Sequence, residues 1–184
     1  MTPLWIILGI VAFLFLFFIF VYNNLTKKRI LVREGWSGIG TFLQQRSDLI
    51  PNLVETVKGY AVHESTTLQE VVKWRNKAVQ ATNNSEVMAA NNKMNAALVD
   101  FFAVAEQYPD LKANTNFLSL QADLKEMEGS INQSRRYYNG AVRDYNQAVA
   151  VFPNNLVAGM FNFTAEPFFQ EDAGTAAVPK VSFS

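Results

Sequence analysis

From Leu4 to Val21 the chain carries only apolar side chains and Gly9, with no charge and no strongly polar group. At about 1.5 Å per residue, a helix over this run reaches roughly 27 Å, close to the hydrocarbon thickness of a bilayer. Trp5 and Tyr22 bracket the run, where amphipathic rings favour the two interfaces, and Lys27, Lys28, Arg29 and Arg33 follow it directly. With no basic side chain ahead of the run, the positive-inside bias predicts residue 1 outside and the chain after Tyr22 in the cytoplasm. A cleaved signal peptide would show a basic stretch before the run and a small-residue cleavage site after it. Neither is present, so a retained single-pass anchor is expected. Gly9 and Ala12 are its only small residues and do not form a small-xxx-small pair, so the run has no motif for close helix pairing.

Composition narrows the chemistry. Charged residues are 17% of the 184, below the roughly 25% of a soluble domain, which points to apolar surface facing lipid or a partner. Sixteen basic side chains balance sixteen acidic ones, so the basic excess that phosphate neutralisation needs is missing and no nucleic-acid partner is expected. The absence of cysteine excludes disulfides, thiol catalysis and thiolate metal sites.

Beyond the anchor the apolar residues recur with helical period, which predicts an all-α bundle. A first stretch, from about Gly35 to Ala81, carries Ile39, Leu43, Ile50, Leu53, Val57 and Tyr60 on one stripe; Leu68, Val71, Val72 and Ala78 continue it past a polar gap at Glu64. Pro51 lacks the N–H for the Ser47 carbonyl, so a kink or break is expected there. Gly35, Gly38 and Gly40 weaken the helix by about 1 kcal/mol each relative to Ala and read as a flexible neck, leaving Trp36 near the interface. A second helix opens with Asn83 as cap and Glu86 three residues on, and Tyr108-Pro109-Asp110 turns the chain after it.

The third helix, about Asn116 to Phe152, is the most regular. Phe117, Leu124, Ile131, Tyr138, Tyr145 and Phe152 recur every seven residues, with Leu120, Met127, Ser134, Ala141 and Ala148 interleaved as in a coiled-coil seam. Beside Ala141 and Ala148 a neighbouring backbone can come close, and the Tyr138 and Tyr145 hydroxyls would need partners. Pro153 stops the helix, further turns can form over Asn154 to Met160, and Phe161, Phe163, Phe168 and Phe169 read as an aromatic docking segment. The small, polar residues from Glu171 onward read as a poorly ordered end. The expected organisation is an anchor over 1–22, a helical bundle over 23–165 and a tail over 166–184.

Little here supports catalysis. Bundle metal sites take Glu-x-x-His pairs from two helices, and His63 is the only histidine. His63-Glu64 begins like a zincin motif, but Thr67 stands where the second ligand belongs. Asp123, Glu126 and Glu128 lie close together, yet they surround Leu124 and Met127 and read as wetted flanks of the seam. Arg135-Arg136 beside Tyr137-Tyr138 reads as exposed basic residues around a buried tyrosine. No catalytic, cofactor or metal site is expected.

Several motifs together resemble one family: Tyr22-Asn23 after the anchor; Arg46-Ser-Asp-Leu-Ile-Pro-Asn-Leu-Val-Glu-Thr-Val-Lys-Gly-Tyr60-Ala-Val-His-Glu64; Ala105-Glu-Gln-Tyr-Pro-Asp-Leu-Lys-Ala-Asn114; the pairs Tyr138-Asn139 and Tyr145-Asn146; and Phe152-Pro153. They resemble the LemA family over nearly the whole chain, with Asp-Leu-Ile-Pro-Asn-Leu-Val the most specific block. The resemblance implies an up-and-down, antiparallel four-helix bundle behind one N-terminal anchor in a bacterial cytoplasmic membrane, with the N-terminus outside. It implies no catalytic residues, relatives among magnetosome proteins, and association of some members with membrane metalloproteases and envelope stress.

The function expected from these features is a non-enzymatic, membrane-anchored scaffold that self-associates on the cytoplasmic face. Its packing candidates are Tyr138, Ala141, Tyr145, Ala148, Phe152, Phe161, Phe163, Phe168 and Phe169, and its partners are the lipid bilayer and further copies of itself. The alternative, resting on the resemblance, is an adaptor or regulator of a membrane protease or envelope-stress system.

Overall fold

The structure is a computed structural model that describes residues 2–60 and 66–170. It is all-α there, with α1 Thr2–Val57, α2 Thr66–Gln80, α3 Asn84–Ala105, α4 Pro109–Lys112, α5 Thr115–Ala150 and α6 Asn154–Met160. His63, Glu64 and the tail from Glu171 lie outside the described residues.

The apolar run is the first third of α1, and Leu4 to Phe20 is almost entirely uncovered by protein. Among the described residues, α1 is the helix long and apolar enough to cross a membrane. It then continues through Gly35, Gly38, Gly40 and Pro51, so the expected neck does not form and Pro51 does not break the helix. The energetics explain both outcomes. Three glycines cost about 1 kcal/mol each, whereas burying one aliphatic side chain returns about 1.5–3 kcal/mol, and Val32, Ile39, Leu43 and Ile50 are all buried along the stretch. At Pro51 the orphaned Ser47 carbonyl accepts a hydrogen bond from Arg75 Nε at 3.4 Å, which supplies from α2 a donor that the proline lacks.

The first long stretch is two helices rather than one. Helix α1 ends at Val57, Tyr60 N–H donates back to the Val57 carbonyl at 3.0 Å, and α2 resumes at Thr66. Gly59, a poor helix former, sits in that turn. The Asn83 cap forms as expected: its side chain accepts from Glu86 N–H at 2.9 Å, while Glu86 accepts from Thr82 N–H at 3.0 Å. Asn114 caps α5 in the same way, accepting from the N–H groups of Asn116 and Phe117.

Two compact units emerge. One comprises Gly40–Asn132 with Phe169 and Gln170. Its core draws Ile50, Leu53 and Val57 from α1, Leu68 and Val71 from α2, Met94, Leu98 and Phe101 from α3, Leu111 from α4, and Phe117 and Leu124 from α5. The other comprises the chain up to Ile39 with Gln133–Phe168, where Val21, Leu25 and Val32 of α1, Tyr138, Val142 and Tyr145 of α5, Val157 and Ala158 of α6, and Phe163 are buried.

The α5 seam holds at Phe117, Leu124, Ile131, Tyr138 and Tyr145, all buried. Its second row shifts: Met127, Ser134 and Ala141 are only half-buried, while Arg135 and Val142 go inside. After Ile131 and Tyr138 the inward position is the fourth residue on, Arg135 and Val142, as the drift of a straight helix by about 20° per heptad favours, whereas after Tyr145 it is again the third, Ala148. Arg135 is therefore buried, and of the expected exposed pair only Arg136 is on the surface.

Candidate functional site

The unit around Gly40–Asn132 holds a polar cluster that the sequence did not announce. Arg46, on the buried stripe of α1, is fully covered by protein. Its Nη1 donates to Glu128 Oε2 of α5 at 2.6 Å, and its Nη2 donates to Asn91 Oδ1 of α3. Glu128 Oε1 accepts from Asn95 Nδ2 at 3.4 Å and Asn132 Nδ2 at 3.2 Å. A buried guanidinium is tolerable only when paired and hydrogen-bonded, and a carboxylate with two amides and a second amide oxygen meet that requirement. Glu128 is thus a half-buried counter-ion, not a wetted flank, because the register of α5 turns it toward Arg46.

Chemically the cluster is closed. Both Glu128 oxygens already accept hydrogen bonds, so the carboxylate is poorly placed to act as a free base. Asn91 Nδ2 is buried without a partner among the described residues, beside a groove of about 160 Å³ lined by Leu43, Ser47, Val87 and Met94, a mostly apolar recess. Among the described residues no three His, Cys, Asp or Glu side chains lie together as a metal site would need.

The second constellation lies in the other unit, where the segment after α6 is tied to α5. Tyr138 Oη donates to the Pro167 carbonyl at 2.8 Å, and Asn146 brackets Glu166, donating to its carbonyl at 2.9 Å and accepting from its N–H at 2.8 Å. Arg29 lies 3.8 Å from the Glu166 carboxylate and over the Phe163 ring. Trp36 stacks edge-on against Tyr138 at 5.6 Å, so it is half-buried in the helix pair rather than free beside a membrane. Burial, reinforced by the Glu166 charge, pushes the Tyr138 phenol above its usual range. Burial also raises Tyr145, against the lowering pull of Arg29 and Arg33 and with Glu166 adding to the rise. The Tyr145 hydroxyl has no hydrogen-bond partner among the described residues.

The sequence candidates divide by exposure. Tyr138, Tyr145, Ala148, Phe163 and Phe169 are buried in their own chain, and Ala141 is half-buried. Phe152, past the end of α5, and Phe161 and Phe168 are exposed. Trp5 is exposed within the apolar run, Lys27 and Arg33 are exposed after it, and Lys28 and Arg29 are half-buried. Tyr22 packs edge-on against Phe161 at 4.9 Å and Phe163 at 5.5 Å.

Comparison with known proteins identifies the family. The LemA family model matches residues 35–183. Protein LemA of Metamycoplasma hominis is 28% identical over 161 residues, covering 83% of this chain and 72% of that protein. Magnetosome proteins MamQ 1 and MamQ 2 of Paramagnetospirillum magneticum are each 24% identical, covering 90% of this chain and 70% of theirs. With four fifths of its length matched by the family model, this chain belongs to the LemA family.

Proposed function

We propose that this protein is a non-enzymatic scaffold, anchored by the first part of α1 with its N-terminus outside, that self-associates on the cytoplasmic face of a bacterial membrane. The supporting observation is the continuity of α1: an uncovered apolar run passes without a joint into a helix whose Val21 and Leu25 are already core residues. Such a mount suits a protein that positions others. Lys27, Lys28, Arg29 and Arg33 after the run favour the cytoplasmic side. The likeness to magnetosome proteins fits a structural role.

Because the α5 seam is occupied within the chain, self-association falls to surface residues outside it. Ile30, Leu31, Tyr137, Phe152, Phe161 and Phe168 are among the exposed apolar residues in the unit that carries α1 up to Ile39. The test is the mass of the intact protein in mild detergent, by light scattering with the micelle subtracted. A defined oligomer is expected. A monomer would refute self-association and leave a tethered binding module whose partner crosslinking would seek, a membrane protease among the targets.

A further inference from the structure

Helix α6 is short and one-sided. Val157 and Ala158 are buried, while Leu156 and Met160 are 56% and 67% exposed, with exposed Phe152 and Phe161 at its two ends. From Val151 to Ala165 there is no charged residue. A water-facing helix surface ordinarily carries charge, so this one is dressed for a different solvent.

The local geometry keeps Phe161 outside. Asn162 takes the left-handed conformation, φ 54°, and Phe163 N–H donates to the Ala158 carbonyl at 2.9 Å, closing a Schellman turn. The turn sends Phe163 into the core and leaves Phe161 half-exposed against Tyr22. Tyr22 is the residue that follows the apolar run, so the ring contact fixes the end of α6 at the level where the run ends. Arg29, over the Phe163 ring, supplies a cation just beyond it.

We infer that α6 is a second membrane contact, lying in the headgroup–acyl boundary with Leu156, Met160 and Phe161 turned into lipid. The inference rests on α1 being the membrane anchor. Continuity selects the occupant: Phe161 extends the uncovered surface of the run sideways through Tyr22, and the ligand that covers one covers the other. An amphipathic element held there by a neighbouring span buries its apolar face to a depth of about 5–10 Å.

The absence of cysteine makes the test direct. Leu156→Cys, Met160→Cys and Phe161→Cys, with Phe13→Cys in the run and Val99→Cys on exposed α3, are each labelled with a nitroxide. The full-length protein is placed in phosphatidylcholine–phosphatidylglycerol vesicles, and collision with oxygen, which partitions into lipid, is compared with collision with a water-soluble nickel chelate. The expected result is an oxygen-to-nickel ratio at positions 156, 160 and 161 several-fold above that at 99 and approaching that at 13. A ratio equal to that at 99, with position 13 in lipid, overturns the α6 contact and leaves the anchor standing. Labels at 156, 160 and 161 shielded from both reagents and broadened by neighbouring spins assign the face to a second copy and also overturn it. A water-like signal at position 13 overturns the anchor and the α6 contact together.

Discussion

A Cβ placed on Gly35 would stand 3.2 Å from the Cα of Tyr138 and as close to the Tyr137 ring, so α1 and α5 meet backbone against backbone at this point. Among the described residues, Gly38 and Gly40 have nothing within 4 Å of the same imaginary atom. The three glycines therefore differ in sign. Gly35→Ala gains about 1 kcal/mol of helix propensity but overpacks the contact by about 1–3 kcal/mol, because a helical Cα yields only if α5 moves. It should lower the thermal midpoint, whereas Gly38→Ala and Gly40→Ala should each raise stability by up to about 1 kcal/mol. Thermal denaturation of the three variants in one detergent separates them.

Removing the guanidinium of Arg46 strands Glu128 and Asn91 inside the protein. Arg46→Ala should cost about 3–5 kcal/mol in chemical denaturation. Arg46→Lys should not restore the loss, since one ammonium cannot present the two-pronged fork that reaches Glu128 and Asn91 together. Full rescue by lysine would mean that charge alone, without geometry, holds the cluster.

Pro51 and Arg75 form a pair through the Ser47 carbonyl. In a Pro51→Ala background the restored N–H can serve that carbonyl, so Arg75→Ala should destabilise less there than in the natural sequence. A double-mutant cycle should show coupling of about 0.5–3 kcal/mol, and strict additivity would detach Arg75 from the proline.

Adjacent phenylalanines should behave differently. Phe169 is 4% exposed and Phe168 44%. Phe169→Ser should destabilise its unit by about 3 kcal/mol or more, as large core truncations do. Phe168→Ser should leave the unfolding midpoint almost unchanged while reducing the assembly size seen by light scattering.

Tyr138 and Tyr145 make the fold sensitive to alkali. Their phenols ionise at higher pH in the folded chain than in the unfolded one. The stability this contributes is fully present below the ordinary tyrosine pKa of about 10 and is lost as pH rises through the raised folded values. Absorbance titration should show two of the six tyrosines ionising late, and Tyr138→Phe with Tyr145→Phe should flatten the loss of stability above pH 10.

The helical skeleton was legible because it rests on local signals. The uncharged run, the Asn83–Glu86 cap, the Tyr108-Pro109 corner and the Phe117-to-Tyr145 period each lie within a few turns of chain. What escaped depends on distance in sequence. Arg46, between Gln45 and Ser47, looks like a surface residue until Asn91 and Glu128, 45 and 82 positions away, are folded against it. Asn91, Asn95 and Asn132 are likewise unremarkable in sequence and become the amides lining that pair only in the fold. Arg135 was misplaced for a different reason: a heptad template ignores the slow drift of a straight helix.

Val21 closes the apolar run and is already a core residue, only 3% exposed, and Leu25 four residues on is wholly buried. No slack separates the apolar run from the folded body, so whatever reorients the run reorients the helix beyond it. Where the hydrocarbon layer is thinner than the run is long, tilt takes up the excess, and tilting the run also tilts the α1–α5 pair that shares its helix. Under the proposed anchoring, thinning of the hydrocarbon layer is thereby converted into an angle of the α1–α5 pair.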